Sequence, residues 1–584
     1  MSKVFPRWQF LSNHQSDPDG RIIFLWGHPA SVKVLAQSRQ SLTTEVTLPN
    51  HPPITITSIY ASNLAEERID LWAELINTQQ QLSLHLKPWL VAGDFNQITH
   101  PSKHSSPTVQ ALSSSMIHFR DTLLQLGLFD LRYQGIFNTW SNKQPASLIT
   151  KKLDCALVNY EWISAFPSSS AIFLPSKSDH TSCLLNLQTP LPIAGTKPFK
   201  FFNYLTQHPL FLTTVNDAWI LAGIFSSTLA DLSWKLKSLK SVRALHDPTA
   251  VNFEEEKTLH DKWMFLRGIE EAYFRQRSRI NWLKEGDSNT SYFHRVAVVR
   301  AAINTIISFL LSNGSLITDL EEMAIHAVNN FKSILAPDVL PFCLVSVSWF
   351  QSLIPYRCSP EACLSLSSIP DAPTITKTIL KLNPNKSSGP DGLTSGFFKG
   401  AWSILGEEVV CSIQRLFLTG YMSSAVNSTI LTMVPKHPGA SAVGDYMPIS
   451  CCSTLYKAVS KILVSKLKPL LPDLILPNQT AFVKGRLLVE NTVLATELVN
   501  GYHKSVGPKK VVIKVDIAKA FDTISWTFVL NCLSGIEVPP SYIRLVEACI
   551  TTTSFTVGYN GLVHGYFKGK RGLRQGDPLS PYLL

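Results

Sequence analysis

Between Arg21 and Asn96 the chain sets short apolar runs, RIIFLW, TEVTL and ITITSIYAS, between polar loops, and one stretch from Glu66 to Leu82 spaces its apolar residues at helical intervals. Short strands interleaved with a helix predict an α/β arrangement. Pro and Gly in TPLPIAGTKP after Leu187, and the Pro, Ser and Cys residues between Leu335 and Pro373, predict segment boundaries. Residues 200–335 read mostly as helix. Helical patterns continue from Pro373 to about Lys504, followed by a strand at KVVIKVDI, Lys510–Ile517, and a helix from Ser525. The division that results is 1–190, 191–370 and 371–584. No internal repeat is visible.

Composition adds constraints. With 45% hydrophobic and 16% charged residues, the 584-residue chain has the balance of folded domains and not of a disordered one. The formal net charge is +11, but residues 1–190 hold 14 Lys+Arg against 13 Asp+Glu, so the basic excess lies downstream and predicts a polyanionic partner there. The ten cysteines form no CxxC pair and Cys451 adjoins Cys452, which suggests neither a zinc site nor a disulfide framework. The start, MSKVFPRWQF, lacks the apolar core of a signal peptide, and no run approaches the roughly 18–20 apolar residues of a membrane span. An intracellular protein, nuclear or cytoplasmic and without a membrane partner, is expected.

Two constellations carry chemistry. In the first, WLVAGDFNQ puts Asp94 and Asn96 just past an apolar strand, KKLDCALVN puts Asp154 at another, and SDHTSCLLNL puts Asp179 and His180 ahead of a third. Strand ends can aim such side chains into one cleft. Phosphodiester hydrolysis needs a divalent cation, a carboxylate-assisted base for water and a donor at the developing charge, and these residue types can supply all three. Singly, each also fits a turn carboxylate, an Asx-turn or a core histidine.

Over about residues 20–188 these motifs resemble the endonuclease/exonuclease/phosphatase family, in its apurinic-endonuclease-like branch of LINE-type elements. The resemblance implies a four-layered α/β sandwich. It implies that Asp94 orients or deprotonates the attacking water, that Asn96 contacts the phosphate, and that Asp179 either ligates the metal or orients His180. His180 would stabilise the transition-state phosphate, Tyr60 in SIYAS matches the family's active-site tyrosine, and Asp154 falls among the substrate contacts. Two features depart from the family. Its opening strand, with an Asn and a metal-binding Glu, has no counterpart before GRIIFLW, and Cys155 stands where LDR is usual. An N-terminally truncated domain with an impaired metal site is expected.

The second constellation begins after the stretch FRQRSRINWLKEGDSNTSYFHR, where Arg275, Arg277, Arg279 and Lys284 interleave with Phe274, Trp282, Tyr292 and Phe293. Basic heads with aromatic faces suit nucleic acid, and the same aromatics at helical spacing suit a core stripe. The stretch resembles the connecting region of plant LINE-type polyproteins. From Asn383 follow NPNKSSGPDGL, STILTMVPK, GDYMPISCC, LPNQTAFVKGR, KVDIAKAFDTISW and GLRQGDPLSPYLL. In this order they resemble the LINE-type reverse transcriptase family over residues 375–584, the fingers and most of the palm of a right-hand polymerase.

Nucleotide addition by two metals needs a carboxylate at the end of a palm strand, and Asp516 sits at that place in KVDIAKAF. The resemblance implies that Phe521 gates against a ribose 2′-hydroxyl, that Gln575 and Gly576 pack against nucleotide and template, and that Lys436 meets the incoming triphosphate. Met447 replaces the arginine of DYRPIS, and a thioether cannot contact phosphate as a guanidinium does. The expected protein is therefore a retrotransposon remnant combining target-DNA endonuclease and RNA-directed DNA polymerase, with DNA and RNA as partners and Mg2+ or Mn2+ as cofactor. Asp516 and Asp179 are its expected metal ligands. Its polymerase part is expected to stop before the second catalytic strand and to be inactive. The alternatives are a non-catalytic nucleic-acid-binding protein and a pseudogene product without function.

Overall fold

A computed structural model describes residues 7–49, 51–106, 108–144, 147–188, 196–238, 273, 276–277, 296–297, 300, 304–340, 345–437, 440–483, 485–500, 502 and 511–584. The chain is a mixed α/β protein of two compact units, both discontinuous in sequence. One comprises Met1–Pro192, Asn289–Asp319 and Pro435–Tyr446; the other comprises Ile193–Ser288, Leu320–Val434 and Met447–Leu584.

In the first unit, β1 (Trp8–Ser12) pairs with β2 (Ile23–Gly27) as an antiparallel ribbon. The main sheet is formed by β3 (Ser31–Gln37), β4 (Ser41–Thr47), β5 (Ile54–Tyr60), β6 (Trp89–Asp94), β11 (Asp154–Val158) and β7 (Phe129–Asp130), in the order β3-β4-β5-β6-β11-β7. β5 and β6 are parallel and joined by the crossover helix α1 (Ala65–Gln81), which accounts for the one helical stretch expected in this part. Strands β8 (Tyr133–Gly135), β12 (Ser170–Leu174) and β13 (Ser182–Asn186) make a three-stranded sheet, and β9 (Trp140–Ser141) pairs with β10 (Thr150–Lys151) in a short hairpin.

Two apolar layers hold this unit. On one face of the main sheet, Leu71, Trp72 and Leu75 of α1 and Phe119 and Leu126 of α2 (Ser114–Leu126) pack on Ile59, Val91 and Leu157. The Trp72 and Phe119 rings stack with centroids 4.5 Å apart. On the other face, Val46, Leu90, Ala156 and Val158 meet Tyr133, Ala171 and Phe173 of the three-stranded sheet, with Trp162 and Ile163 of α3 (Tyr160–Ala165) in the same cluster. Each large apolar side chain buried here contributes about 1.5–3 kcal/mol. Later residues complete the unit: Ser308 exchanges side-chain and backbone hydrogen bonds with the buried Gln134, and the Leu310 N–H donates to the Ser441 carbonyl at 2.9 Å. Phe309 lies in the two-residue strand β14 (Phe309–Leu310), paired with β15 (Leu316–Ile317) where the pattern had suggested helix.

The second unit is built on a large helical core around helices Trp402–Thr419, Thr454–Leu467 and Pro540–Thr551. Its sheet has the order β17-β16-β18-β19, from β16 (Ser428–Pro435), β17 (Tyr446–Cys452), β18 (Ser554–Tyr559) and β19 (Leu562–Lys568). β16 and β17 correct the helical reading of this region. STILTMVP buries every second residue, a two-residue period that a helix cannot use. Helices Phe211–Leu221 and Leu229–Ser238 pack on Trp402–Thr419 through a buried charge: the Glu408 carboxylate accepts from Lys235 Nζ at 2.9 and 3.1 Å and from Trp219 Nε1 at 3.0 Å. The expected helix from Ser525 is Trp526–Gly535, capped by the Ser525 hydroxyl, which accepts from the Phe528 N–H.

Among the described residues of KVVIKVDI, 511–517, the expected strand is absent. Residues 511–517 take no regular structure, and Val511, Val512, Ile513, Val515 and Ile517 are 58–80% exposed. A strand is held by its ladder and by cross-strand side-chain pairs, and this segment joins none of the sheets. Among the described residues no helix is long and apolar enough to cross a membrane.

Candidate active site

The first unit assembles a site at the C-terminal end of β6. Gly93 lies so close to β5 that a Cβ would come within 2.0 Å of the Ile59 carbonyl oxygen, and its φ of +141° is open to glycine alone. That close approach sets Asp94 at the strand end, opposite Tyr60 on β5 and Asp154 on β11. Asn96 follows with φ +44°, a left-handed conformation that asparagine tolerates. Its N–H donates to Asp94 Oδ1 at 2.9 Å and its Nδ2 to the Ala61 carbonyl at 2.7 Å.

His180 comes in from the loop before β13, where its backbone bridges Trp140. Its Nδ1 is 2.9 Å from Asp154 Oδ2 and its Nε2 is 3.8 Å from Asp94 Oδ2. One ligand atom from each of Asp94, Asp154 and His180 lies within 4.8 Å of the others. Burial pushes the Asp94 carboxyl up to about 6, against the opposing pull of the Asn96 N–H and of His180. The hydrogen bond that His180 Nδ1 donates to the Asp154 carboxylate raises the imidazole above its ordinary value. Two carboxylates and an imidazole so placed can share a proton, activate water and donate to a phosphate oxygen. Asp94 and Asp154 offer the oxygen donors that Mg2+ or Mn2+ takes, while the Nδ1 of His180 is committed to Asp154.

The structure thus brings Asp94, Asn96 and His180 together, and Tyr60 lies at the same strand ends, 38% exposed with the Arg21 guanidinium 5.5 Å from its ring centroid. Two expectations are corrected. Asp154, expected among the substrate contacts and not as a member of the catalytic group, is hydrogen-bonded to His180. Asp179, expected to ligate the metal or orient His180, is exposed and lies outside the Asp94–Asp154–His180 cluster; its Oδ1 accepts from Ser178 Oγ at 3.0 Å and its Oδ2 from Trp140 Nε1 at 3.2 Å. The Ser178 hydroxyl is the main cause holding its carboxyl below the usual range. The reason is register: β11 lies beside β6 and sets Asp154 opposite Asp94.

Three supporting residues escaped sequence reasoning. Thr139 Oγ1 accepts from the Leu153 and Asp154 N–H groups at 3.0 and 2.9 Å and so fixes the start of β11. Trp140 ties the hairpin to Asp179. Arg68, in the second turn of α1, is 7% exposed and reaches the loops on either side of the site. FNTWS lacks the residue types that flag chemistry, and an arginine on an amphipathic helix reads as solvated.

The second unit holds the polymerase-like motifs, less completely assembled. Asp516 is exposed within the irregular segment 511–517, and among the described residues no metal-capable group forms around it. Phe521 is half-buried in the turn Ala520–Thr523, and its carbonyl accepts from the Leu573 N–H at 2.6 Å. The loop bearing Gln575 and Gly576 is firmly held: the Gln575 carbonyl accepts from the Ser450 N–H at 2.8 Å, and buried charges flank the pair. Arg574 donates to Asn427 Oδ1 at 2.7 Å and Thr429 Oγ1 at 3.0 Å, with its guanidinium 3.9 Å from the Tyr456 ring centroid. Asp577 accepts from Tyr456 Oη at 2.8 Å, Ser460 Oγ at 2.6 Å and the Leu579 N–H at 3.1 Å. Lys436 falls in the first unit, where its Nζ donates to the Gly444 carbonyl at 2.8 Å. Of the eight basic and aromatic residues singled out in the connecting stretch only Arg277 is described, donating to the Tyr273 hydroxyl at 2.7 Å; the other seven lie outside the described residues.

Residues 434–584 match the reverse transcriptase (RNA-dependent DNA polymerase) family. Over 90% of its length the chain is 23% identical to a Xenopus laevis transposon protein, "Transposon TX1 uncharacterized 149 kDa protein", of which it covers 42%. Over 34% of its length it is 26% identical to the Pol polyprotein of the type-1 retrotransposable element R2 of Nasonia vitripennis, of which it covers 19%. The chain thus spans less than half the length of these relatives. Among solved structures it is similar to the endonuclease domain of TRAS1, a telomere-specific non-LTR retrotransposon, at 16% identity and a TM-score of 0.26, over 31% of this chain and 81% of that one. A Danio rerio TDP2 structure complexed with single-strand DNA product gives 14% identity and a TM-score of 0.21, over 32% and 79%.

Proposed function

We propose that this chain is part of a non-LTR retrotransposon protein of the plant LINE type, whose first unit is a metal-dependent DNA endonuclease and whose second unit holds primer and template for reverse transcription. The plant assignment rests on the resemblance of WLKEGD and its neighbours to the connecting region of such polyproteins. The observation that carries the endonuclease reading is the Asp94–His180–Asp154 constellation, with its ligand atoms within 4.8 Å of one another. Asp94 takes a proton from water as its oxygen bonds to phosphorus, the P–O bond to the departing strand breaks and that oxygen leaves to be protonated from solvent, and His180, oriented by Asp154, donates to the phosphate oxygen that gains charge. Mg2+ or Mn2+, when bound, neutralises the phosphate and polarises it toward attack. Asp94 and Asp154 would hold the cation, and with two carboxylates they would hold it loosely, so nicking would be slow and depend on metal concentration. In the second unit the isolation of Asp516 favours binding of nucleic acid without nucleotide addition, in line with a basic excess that displaces counterions from phosphates.

The test is nicking of supercoiled plasmid by the purified chain over a series of MgCl2 and MnCl2 concentrations. Metal-dependent nicking lost in Asp94→Ala supports the reading. No nicking at any metal concentration, or nicking that survives Asp94→Ala, overturns it.

A further inference from the structure

Arg68 is a buried cation whose guanidinium meets neutral oxygens. Its Nη1 donates to the Ser62 and Asn63 carbonyls at 2.8 and 2.9 Å, and its Nη2 to Gln97 Oε1 at 3.0 Å. Ser62 and Asn63 follow Tyr60 and Ala61 after β5, while Gln97 follows Asp94 and Asn96 after β6. One planar fork therefore bridges the two loops that form the site. The loops are also joined by Asn96 Nδ2 on the Ala61 carbonyl and by the Ala61 N–H on the Asp94 carbonyl at 2.8 Å. The Gln97 amide is fixed in turn, its Nε2 donating to the Ile98 carbonyl at 2.9 Å.

A full positive charge at 7% exposure is costly unless hydrogen bonds offset its desolvation, and here the acceptors that do so all lie on the two site loops. Burial pulls the Arg68 guanidinium below its ordinary value, and the charge that opposes this is the Asp94 carboxylate. The rigid fork holds three acceptors in one plane, which a lysine ammonium cannot do. Resting on the endonuclease reading, we infer that Arg68 is a positioning residue for that reaction: it locks the Tyr60–Asn63 loop to the Asp94–Gln97 turn, so that Asp94 and Asn96 keep their spacing as the phosphodiester reacts. Arg68 makes no contact with substrate in this assignment; it acts through the two loops.

Arg68 also lines a cavity of about 150 Å³, together with Trp72 of α1 and Ser115 and His118 of α2. The space left by Arg68→Ala would open onto it and admit free guanidinium.

The experiment is steady-state nicking by the full chain, with circular dichroism at the assay temperature to establish the folded fraction. In Arg68→Ala and Arg68→Lys, kcat is expected to fall on the order of tenfold or more with KM nearly unchanged, as when reacting groups are misplaced by about an ångström. Low millimolar guanidinium chloride should restore kcat in Arg68→Ala and leave Asp94→Ala inactive. A purely structural role would lower the folded fraction and leave kcat per folded molecule unaltered. If Arg68→Ala does not fold, Gln97→Leu, which severs one arm of the bridge, carries the same expectation for kcat. Unchanged kcat in a folded variant, a loss confined to KM, or no rescue by guanidinium overturns the inference. Absence of nicking by the unsubstituted chain instead overturns the endonuclease reading, and the inference with it.

Discussion

Asp94 and Asp516 are both aspartates that the sequence sets at the end of an apolar run, and the fold treats them in opposite ways. Asp94 ends a strand with neighbours on both sides, so the parallel partner brings Tyr60 to it and the antiparallel partner brings Asp154. Its carboxyl is 8% exposed and responds to burial and to charge. Asp516 ends a run of the same character that joins no sheet, and it stays in solvent. A carboxylate acquires chemistry from the strands beside its own, and an apolar run by itself does not supply them.

The sharpest way to break this contrast is activity. Asp154→Ala and His180→Ala should each lower nicking by about 10²–10⁴-fold, the usual contribution of a positioned acid or base, while Asp516→Ala leaves nicking unchanged. Primer extension on an RNA template should be absent in the unsubstituted chain, and template-dependent extension abolished by Asp516→Ala would show that the two aspartates are equivalent after all.

Stability sharpens the contrast next. Asp577→Ala removes the carboxylate 3.8 Å from the buried Arg574 guanidinium and leaves the Tyr456 and Ser460 hydroxyls without their acceptor, and should destabilise the second unit by about 3–5 kcal/mol, the cost of removing one partner from a buried pair. Calorimetry should show the transition of the second unit shifted down and that of the first unmoved. If both transitions shift equally, the units do not unfold independently.

The pH dependence of the first unit follows from its site. Asp94 has a folded-state value raised to about 6, so the native state favours the protonated form and loses stability as pH climbs from about 4 to 6. His180 is also raised; its stabilisation is complete below its ordinary value of 6.5 and is lost as pH rises through the folded-state value. In metal-free buffer both act in one direction, and the first unit should be less stable at pH 8 than at pH 5, by roughly 1–3 kcal/mol. Melting temperatures that rise over this interval would contradict the assignment. Asp154→Asn should bring the His180 titration, followed by NMR, back toward its ordinary value.

The smallest effect belongs to the exposed segment. Ile513→Lys should alter stability by no more than about 0.5 kcal/mol, as surface substitutions do. A larger loss in urea unfolding would mean that the segment is paired.

What could be read from the sequence divides along the same physical line. Asp94, Asn96 and His180 were legible because their residue types and strand-end positions are local properties. The strands at RIIFLW, TEVTL and ITITSIYAS and the helix after them were legible from periodicity. The role of Asp154 was not, because it depends on which strand lies beside β6, a pairing between residues sixty apart. Thr139 and Arg68 act through backbone oxygens and N–H groups, which leave no mark in the sequence. STILTMVP was read as helix although its two-residue burial period was present, and KVVIKVDI shows the reverse failure: the alternation is there without a neighbour to use it.

The discontinuity of the first unit has a consequence for how the protein is made. Gln134 is buried against Ser308, and the Leu310 backbone is completed by Ser441, so segments far downstream finish what the first 192 residues begin. A ribosome adding about 5–20 residues per second needs roughly 13–50 s to travel from the end of the first segment to the last one. For the first part of that interval, roughly 6–23 s until Ser308 is added, the nascent unit waits with the Gln134 amide unmatched, and the Leu310 backbone waits longer, until Ser441 is made.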